Sequence, residues 1–237
     1  MSKTKIEVDI ISDINCPWCY LGEKYFHDAI KATDGQYEFE VTLKPFELNP
    51  QAPEEGEEKE KYFLRNYGPD GLEKMADSNS RITAAGKEVG LSFNFDKLTK
   101  VHNTLHGHRL IWLAGKYGVQ EQVAEALYVK NFELGENVND LDLLKKVGKD
   151  NGIPADKLDG FFEGEEGKAE VKKMEKDAQE AGVRGVPAFI LNKKYLLSGA
   201  QPTEAFLSAF EKIAPKLEEI KSDDGSSASS CGIDGDC

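Results

Sequence analysis

The chain has 237 residues, 39% of them hydrophobic, and sets 30 Lys and Arg against 43 Asp and Glu, for a formal net charge of −13. This length exceeds one average domain and falls short of two. With a normal apolar share it excludes global disorder and points to one interrupted domain or two small ones. The acid excess counts against nucleic acid or anionic lipid as a partner, and no run approaches the roughly 18 apolar residues of a membrane span.

Read from the start, Ile6, Val8 and Ile10 alternate with Lys5, Glu7 and Asp9, which predicts a strand over 5–11. Met1 leads into it without an apolar leader, so a cytoplasmic chain is expected. Cys16-Pro17-Trp18-Cys19 follows, and Tyr20, Leu21, Phe26, Ala29 and Ile30 have helical spacing up to Asp34-Gly35. Tyr37, Phe39, Val41 and Leu43 alternate as a second strand that Pro45 ends. The charged stretch 53–61 reads as a solvated loop and helix start.

From there to residue 182 the apolar spacing is helical. Helices are expected over 70–90, 103–118, 119–135, 140–147, from 157 to 162, and through Val171, Met174, Ala178 and Ala181. Gly182 to Pro187 breaks the pattern. Ala188 to Leu191 and Tyr195 to Ser198 then read as a β-hairpin, and a last helix starts at Thr203, a candidate N-cap, and carries Phe206, Phe210 and Ile213. The Ser-rich acidic segment after Ile220 is expected to be disordered.

The four cysteines form two distant pairs, Cys16 with Cys19 and Cys231 with Cys237. In a cytosolic chain, catalytic, redox-sensing or metal-binding roles are expected ahead of structural disulfides. A strand end followed by a helix start aims unpaired backbone N–H groups at Cys16 and favours its thiolate. Cys19, three residues on, lies on the same side of the first turn, within reach of a mixed disulfide on Cys16. Pro17 falls where a missing N–H costs nothing. Half of a zinc site is the alternative, completed by the tail cysteines or by His102 and His106; the strand and helix around the motif favour redox chemistry. No bound metal or cofactor is required, only a redox partner.

The run Cys16-Pro17-Trp18-Cys19-Tyr20-Leu21-Gly22, the helical block, Gly185-Val186-Pro187-Ala188-Phe189 and the segment Asn103 to Leu110 together resemble the DsbA-like thioredoxin-fold oxidoreductases of the FrnE branch. The resemblance implies an α/β thioredoxin-like fold with an inserted all-α helical subdomain. Residues 1–50 and 183–220 would form the thioredoxin part, 51–182 the insert and 221–237 a flexible acidic tail.

It further implies Cys16 as attacking thiolate, Cys19 as buried resolving thiol and Pro187 as a cis-proline facing them, with the Val186 backbone pairing with an incoming peptide. Trp18 would supply an apolar lid or packing beside the site. Asn103 and His108 could reach the site from the insert; capping and interface packing are their alternative roles. Protein or small-molecule thiols and disulfides would be the substrates, with glutathione or thioredoxin as redox partner. The tail pair Cys231 and Cys237 is a candidate second redox center. Its alternatives are an inert tail or metal capture with Asp234 and Asp236. At the level of the whole chain, the alternatives are a glutathione-dependent isomerase or transferase of the kappa-class type and a metal-binding thiol stress protein.

Overall fold

The computed structural model describes residues 3–53 and 55–214, so Cys231, Cys237 and the expected tail lie outside the described residues. A four-stranded sheet takes strands from both ends of the chain. β1 (Thr4–Ser12) and β2 (Tyr37–Pro45) come from the first fifty residues, β5 (Ala188–Leu191) and β6 (Tyr195–Ser198) from beyond the helical block. The order is β2-β1-β5-β6, with β1 parallel to β2 and antiparallel to β5.

Side chains on neighbouring strands share faces by register. Ile10 lies opposite Phe189, and both enter the large core with Phe26 of α1 (Pro17–Ala32) and Phe206 and Phe210 of α9 (Thr203–Ile213). Ile11 lies opposite Ala188, and both face the other way, onto Ala178 of α8 (Lys168–Glu180) and Val183. The sheet is thus covered on both faces, which explains the continuous apolar ending of β1. The three-residue hairpin connection puts Asn192 and Lys193 at φ of 48° and 56°, in the left-handed region.

Between the sheet halves run α2 (Lys59–Tyr67), α3 (Gly71–Glu88), α4 (Leu105–Gly115), α5 (Gln120–Tyr128), α6 (Leu141–Asp150), the short α7 (Ala155–Leu158) and α8. A single buried cluster joins Leu110, Leu127 and Leu144 of these helices to Ile6 and Phe26 at the sheet.

Several boundaries differ from expectation. The charged stretch is not all solvated: β3 (Glu57–Glu58) pairs with β4 (Lys100–Val101), and Glu57 is buried against Arg65 at 2.7 Å. Tertiary pairing here overrides a composition that reads as a loop. The helix expected over 119–135 has that extent but changes type after Tyr128, where a π-helical turn, Val129–Leu134, follows α5 and ends at Gly135 with φ 71°. The helix expected over 157–162 is the single turn α7, after which the backbone is held by a side chain of α4. Thr203 is not the cap of α9. Pro202 takes that place, and the Thr203 hydroxyl donates instead to the Tyr25 carbonyl.

Candidate active site

Cys16 is the N-cap residue of α1, in extended geometry with φ −97° and ψ 106°, and its carbonyl accepts the Cys19 amide at 2.9 Å. Pro17 is the first helical residue, where an amide would find no partner. Both cysteines are free thiols. Their access differs. Cys16 is 5% exposed and lines a cavity of about 370 Å³, whereas Cys19 is 0% exposed and lies off its walls. Burial pushes the Cys19 thiol well above the ordinary thiol range, and the neighbouring Cys16 sulfur adds to that effect.

The loop entering β5 closes the site. The Val186–Pro187 peptide bond is cis, and the Val186 carbonyl faces Cys16 Sγ at 3.7 Å. Gly22 makes this approach possible, since a Cβ there would stand 3.0 Å from Pro187 Cγ and 3.3 Å from the Ala200 backbone. The Trp18 indole N–H donates to Ser78 of α3 at 3.3 Å, tying the dithiol turn to the wall of the cavity. Tyr62 and Phe63 of α2, Phe132 of the π-helical turn and Val186 complete an apolar lining, with Lys59, Lys74 and Lys100 among the lining residues.

Below the turn, Asp13 is fully buried. Its carboxylate accepts the Leu48 amide at 2.7 Å and the Asn15 amide at 3.3 Å and meets His108 Nε2 at 3.3 Å, while its carbonyl accepts the Cys16 amide. Asn15 donates to the His102 carbonyl and Asn131 donates to the Ile14 carbonyl. Three residues of the helical block thus brace the three residues before Cys16. Gly107 lets α4 come this close, because a Cβ there would stand 2.4 Å from Ile14 Cδ1.

His108 therefore bears on the dithiol turn through Asp13 and does not line the cavity. Asn103 accepts the Leu105 amide at 2.9 Å, at the start of α4, and also lies off the cavity walls. His106 turns to Arg109 at 3.0 Å, away from His108. Among the described residues, no three His, Cys, Asp or Glu side chains are grouped to hold a metal ion. Sequence reasoning missed Asp13, Asn15 and Asn131, which are distant in sequence from their partners.

The family model of the DSBA-like thioredoxin domain matches residues 7–211. The chain belongs to that family. It is a DSBA-like thiol–disulfide oxidoreductase with a thioredoxin-like fold. A probable DsbA oxidoreductase from Streptomyces coelicolor is 28% identical, with a TM-score of 0.81 over 97% of this chain and 100% of that one. The uncharacterized protein YwbO of Bacillus subtilis is 23% identical over 86% of this chain and 95% of its own length. The cytosolic disulfide reductase DsbM from Pseudomonas aeruginosa, solved with GSH, shares the fold at 18% identity, with a TM-score of 0.60 over 87% of this chain and 98% of that one.

Glu23 of this DSBA-like chain is also buried. Glu23, one helical turn beyond Cys19, accepts the Tyr128 hydroxyl at 2.6 Å, and burial pushes its carboxyl up to about 7. Its folded-state value is raised above the ordinary 4.5, so its contribution to stability is complete below about pH 4.5 and is lost as pH rises through 7. The loss amounts to about 3 kcal/mol at alkaline pH. Glu23→Gln keeps an acceptor for Tyr128 and removes the charge. It is expected to leave denaturant stability near pH 4.5 almost unchanged and to raise it at pH 8 by up to about 3 kcal/mol.

Proposed function

We propose that the chain exchanges disulfides through Cys16 as the attacking thiolate and Cys19 as the resolving thiol, with Pro17, Trp18, Val186 and Pro187 as their support. The observation that carries this reading is the unequal access of two free thiols one helical turn apart: Cys16 borders the cavity and Cys19 is sealed behind it. Cys16 stands at the N-cap of α1, where helix-end amides lack backbone partners, and burial pushes the Cys19 thiol up, which keeps it protonated until it is needed. Attack by Cys16 breaks the substrate S–S bond and leaves one half bound to Cys16. Cys19 then displaces it and closes the internal disulfide.

Protein or small-molecule disulfides enter over Val186, whose backbone is positioned to pair with an extended segment, and a large apolar group fills the aromatic cavity. In this reading residues 1–50 and 183–220 supply the dithiol and the Val186 loop, and 51–182 supply the cavity wall and the brace under the turn. Glutathione or thioredoxin restores the dithiol in the cytoplasm; a glutathione-bound relative of the same fold and the lysines around the cavity support glutathione. Among the described residues no helix is long and apolar enough to cross a membrane. The stretch Cys16 to Gly22 with Asn103 to Leu110 carries the finer placement in the FrnE branch.

Insulin reduction driven by dithiothreitol is the direct test. The wild-type chain is expected to precipitate insulin B chain well ahead of reagent alone, and Cys16→Ser to fall to the reagent rate. Full activity in Cys16→Ser would overturn the assignment.

A further inference from the structure

β1 and β2 run parallel and end side by side, with Ser12 opposite Pro45. One more bond follows, from the Phe46 amide to the Ser12 carbonyl at 3.0 Å. Beyond it the two segments part. One turns through Ile14 and Asn15 into Cys16, and the other runs out to Leu48. Ligands of α/β sheets bind in the crevice outside the carboxyl ends of such strands, and here Asn15, Cys16 and Leu48 all line the cavity. Leu48 is 42% exposed, so packing alone does not fix its place in the wall.

Asp13 joins the two segments. It is 0% exposed, and its two ends serve different parts of the site. Its carbonyl accepts the Cys16 amide at 2.9 Å. Carboxylate Oδ2 accepts the Leu48 amide at 2.7 Å, and Oδ1 accepts the Asn15 amide at 3.3 Å and meets His108 Nε2 at 3.3 Å. We propose that Asp13 is a positioning residue for disulfide exchange: its carboxylate fixes Leu48 of the cavity wall in register with Cys16, and so sets how a substrate seated in the cavity meets the sulfur. The proposal rests on the dithiol roles given above. It ties the nucleophile to the seat of the substrate through one side chain that touches neither substrate nor sulfur.

The contacts require a carboxylate. Three N–H donors converge on it from three segments, and an ionised acid accepts at both oxygens. Because it only accepts, His108 Nε2 carries the proton between them. Asparagine offers one accepting oxygen and an NH2 group. In one orientation its NH2 faces the Leu48 amide, and in the other it faces Asn15 and His108, so Asp13→Asn keeps the shape and sets donor against donor. Glutamine at position 108, by contrast, can place an N–H donor where Nε2 stands, and leucine cannot.

The test uses the full-length chain with Cys231 and Cys237 changed to serine. The reduced protein is mixed with a concentration series of 5,5′-dithiobis(2-nitrobenzoate) in a stopped-flow instrument. The first release of thionitrobenzoate reports attack by Cys16, and its concentration dependence separates the apparent KM from the limiting rate. Leu48→Ala is expected to raise the apparent KM. Asp13→Asn is expected to raise it too, and to lower the ratio of limiting rate to KM by about tenfold to a hundredfold, the scale of an ångström-sized misplacement. If Asp13 acts through Leu48, the two effects do not add: with Asp13→Asn already present, Leu48→Ala should change KM by well under its factor in the parent. His108→Leu should raise KM several-fold and His108→Gln should restore it, a comparison that stands even if Asp13→Asn fails to fold. Independent effects at positions 13 and 48, or a His108→Gln protein as impaired as His108→Leu, would overturn the positioning role alone. A first phase that keeps its full rate in Cys16→Ser would instead overturn the dithiol reading beneath it.

Discussion

A Cys19→Ser protein is expected to halt the exchange at its midpoint. Offered insulin or oxidised glutathione, it should accumulate a covalent adduct on Cys16, because the group that would displace the bound half is gone and no outside thiol can take its place efficiently. Cys16 is 5% exposed and lines the cavity, which the bound half would occupy. The adduct should then persist for roughly minutes to hours, the range of uncatalysed disulfide rearrangement, whereas the wild-type adduct should disappear within a turnover. Acid quenching followed by digestion and mass spectrometry maps the adduct. It should lie on Cys16, and Cys16→Ser should give none within the segment 3–53. Equal adducts on Cys16→Ser and Cys19→Ser would mean that the two thiols are equivalent nucleophiles, contrary to their unequal access to the cavity. The asymmetry follows from one turn of helix: an N-cap sulfur meets free backbone amides, while a sulfur three residues later meets the core.

That turn was legible in the sequence because its signals are local. Alternation at Ile6, Val8 and Ile10, a Cys-Pro start and helical spacing to Ile30 depend on no distant residue, and the same holds for the hairpin from Ala188 to Ser198. The features that escaped are those whose partners lie far along the chain. Asp13 reads as a loop residue until His108, 95 positions later, comes to rest against it. The Glu57–Glu58 strand is invisible in a run of acids, since only pairing with Lys100 and Val101 makes it one. The π-helical turn that brings Asn131 beneath Ile14 leaves the apolar pattern of a helix intact. Glu23 did leave a trace. Cys19, Glu23, Phe26 and Ile30 fall at i, i+4, i+7 and i+11, so an acid occupies a position in the stripe that the rest of α1 marks as inward-facing. A charged residue in an apolar stripe is the local sign of a buried titratable group.

Arg109 shows the same lesson on a larger energetic scale, and its removal should cost more stability than that of any surface ion pair. It is 1% exposed on α4, and all five of its N–H donors are engaged. Nε donates to the Glu166 carbonyl at 3.0 Å; one terminal nitrogen serves the Phe162 carbonyl at 3.4 Å and His106 Nδ1 at 3.0 Å; the other serves the carbonyls of Phe161 and Gly164 at 2.8 and 2.7 Å. The guanidinium also lies 4.9 Å from the centroid of Phe161. One side chain therefore folds the segment 161–166 against α4, supplying the order that the expected helix over 157–162 would have supplied. Arg109→Met fills similar space and leaves four carbonyls without their donor. It should destabilise the chain by about 3–5 kcal/mol and lower the melting temperature by roughly 10 °C, read by denaturant and thermal unfolding. Arg109→Lys should recover only a small part, since three donors on one nitrogen cannot span a fork of five acceptors. The consequence should reach the site, because the next residue back, His108, holds Asp13 beneath the dithiol turn. In Arg109→Met at a temperature where it is still folded, the rate of Cys16 alkylation should change along with stability. A loss of stability with an unaltered Cys16 rate would show that α4 braces the core and the dithiol turn independently.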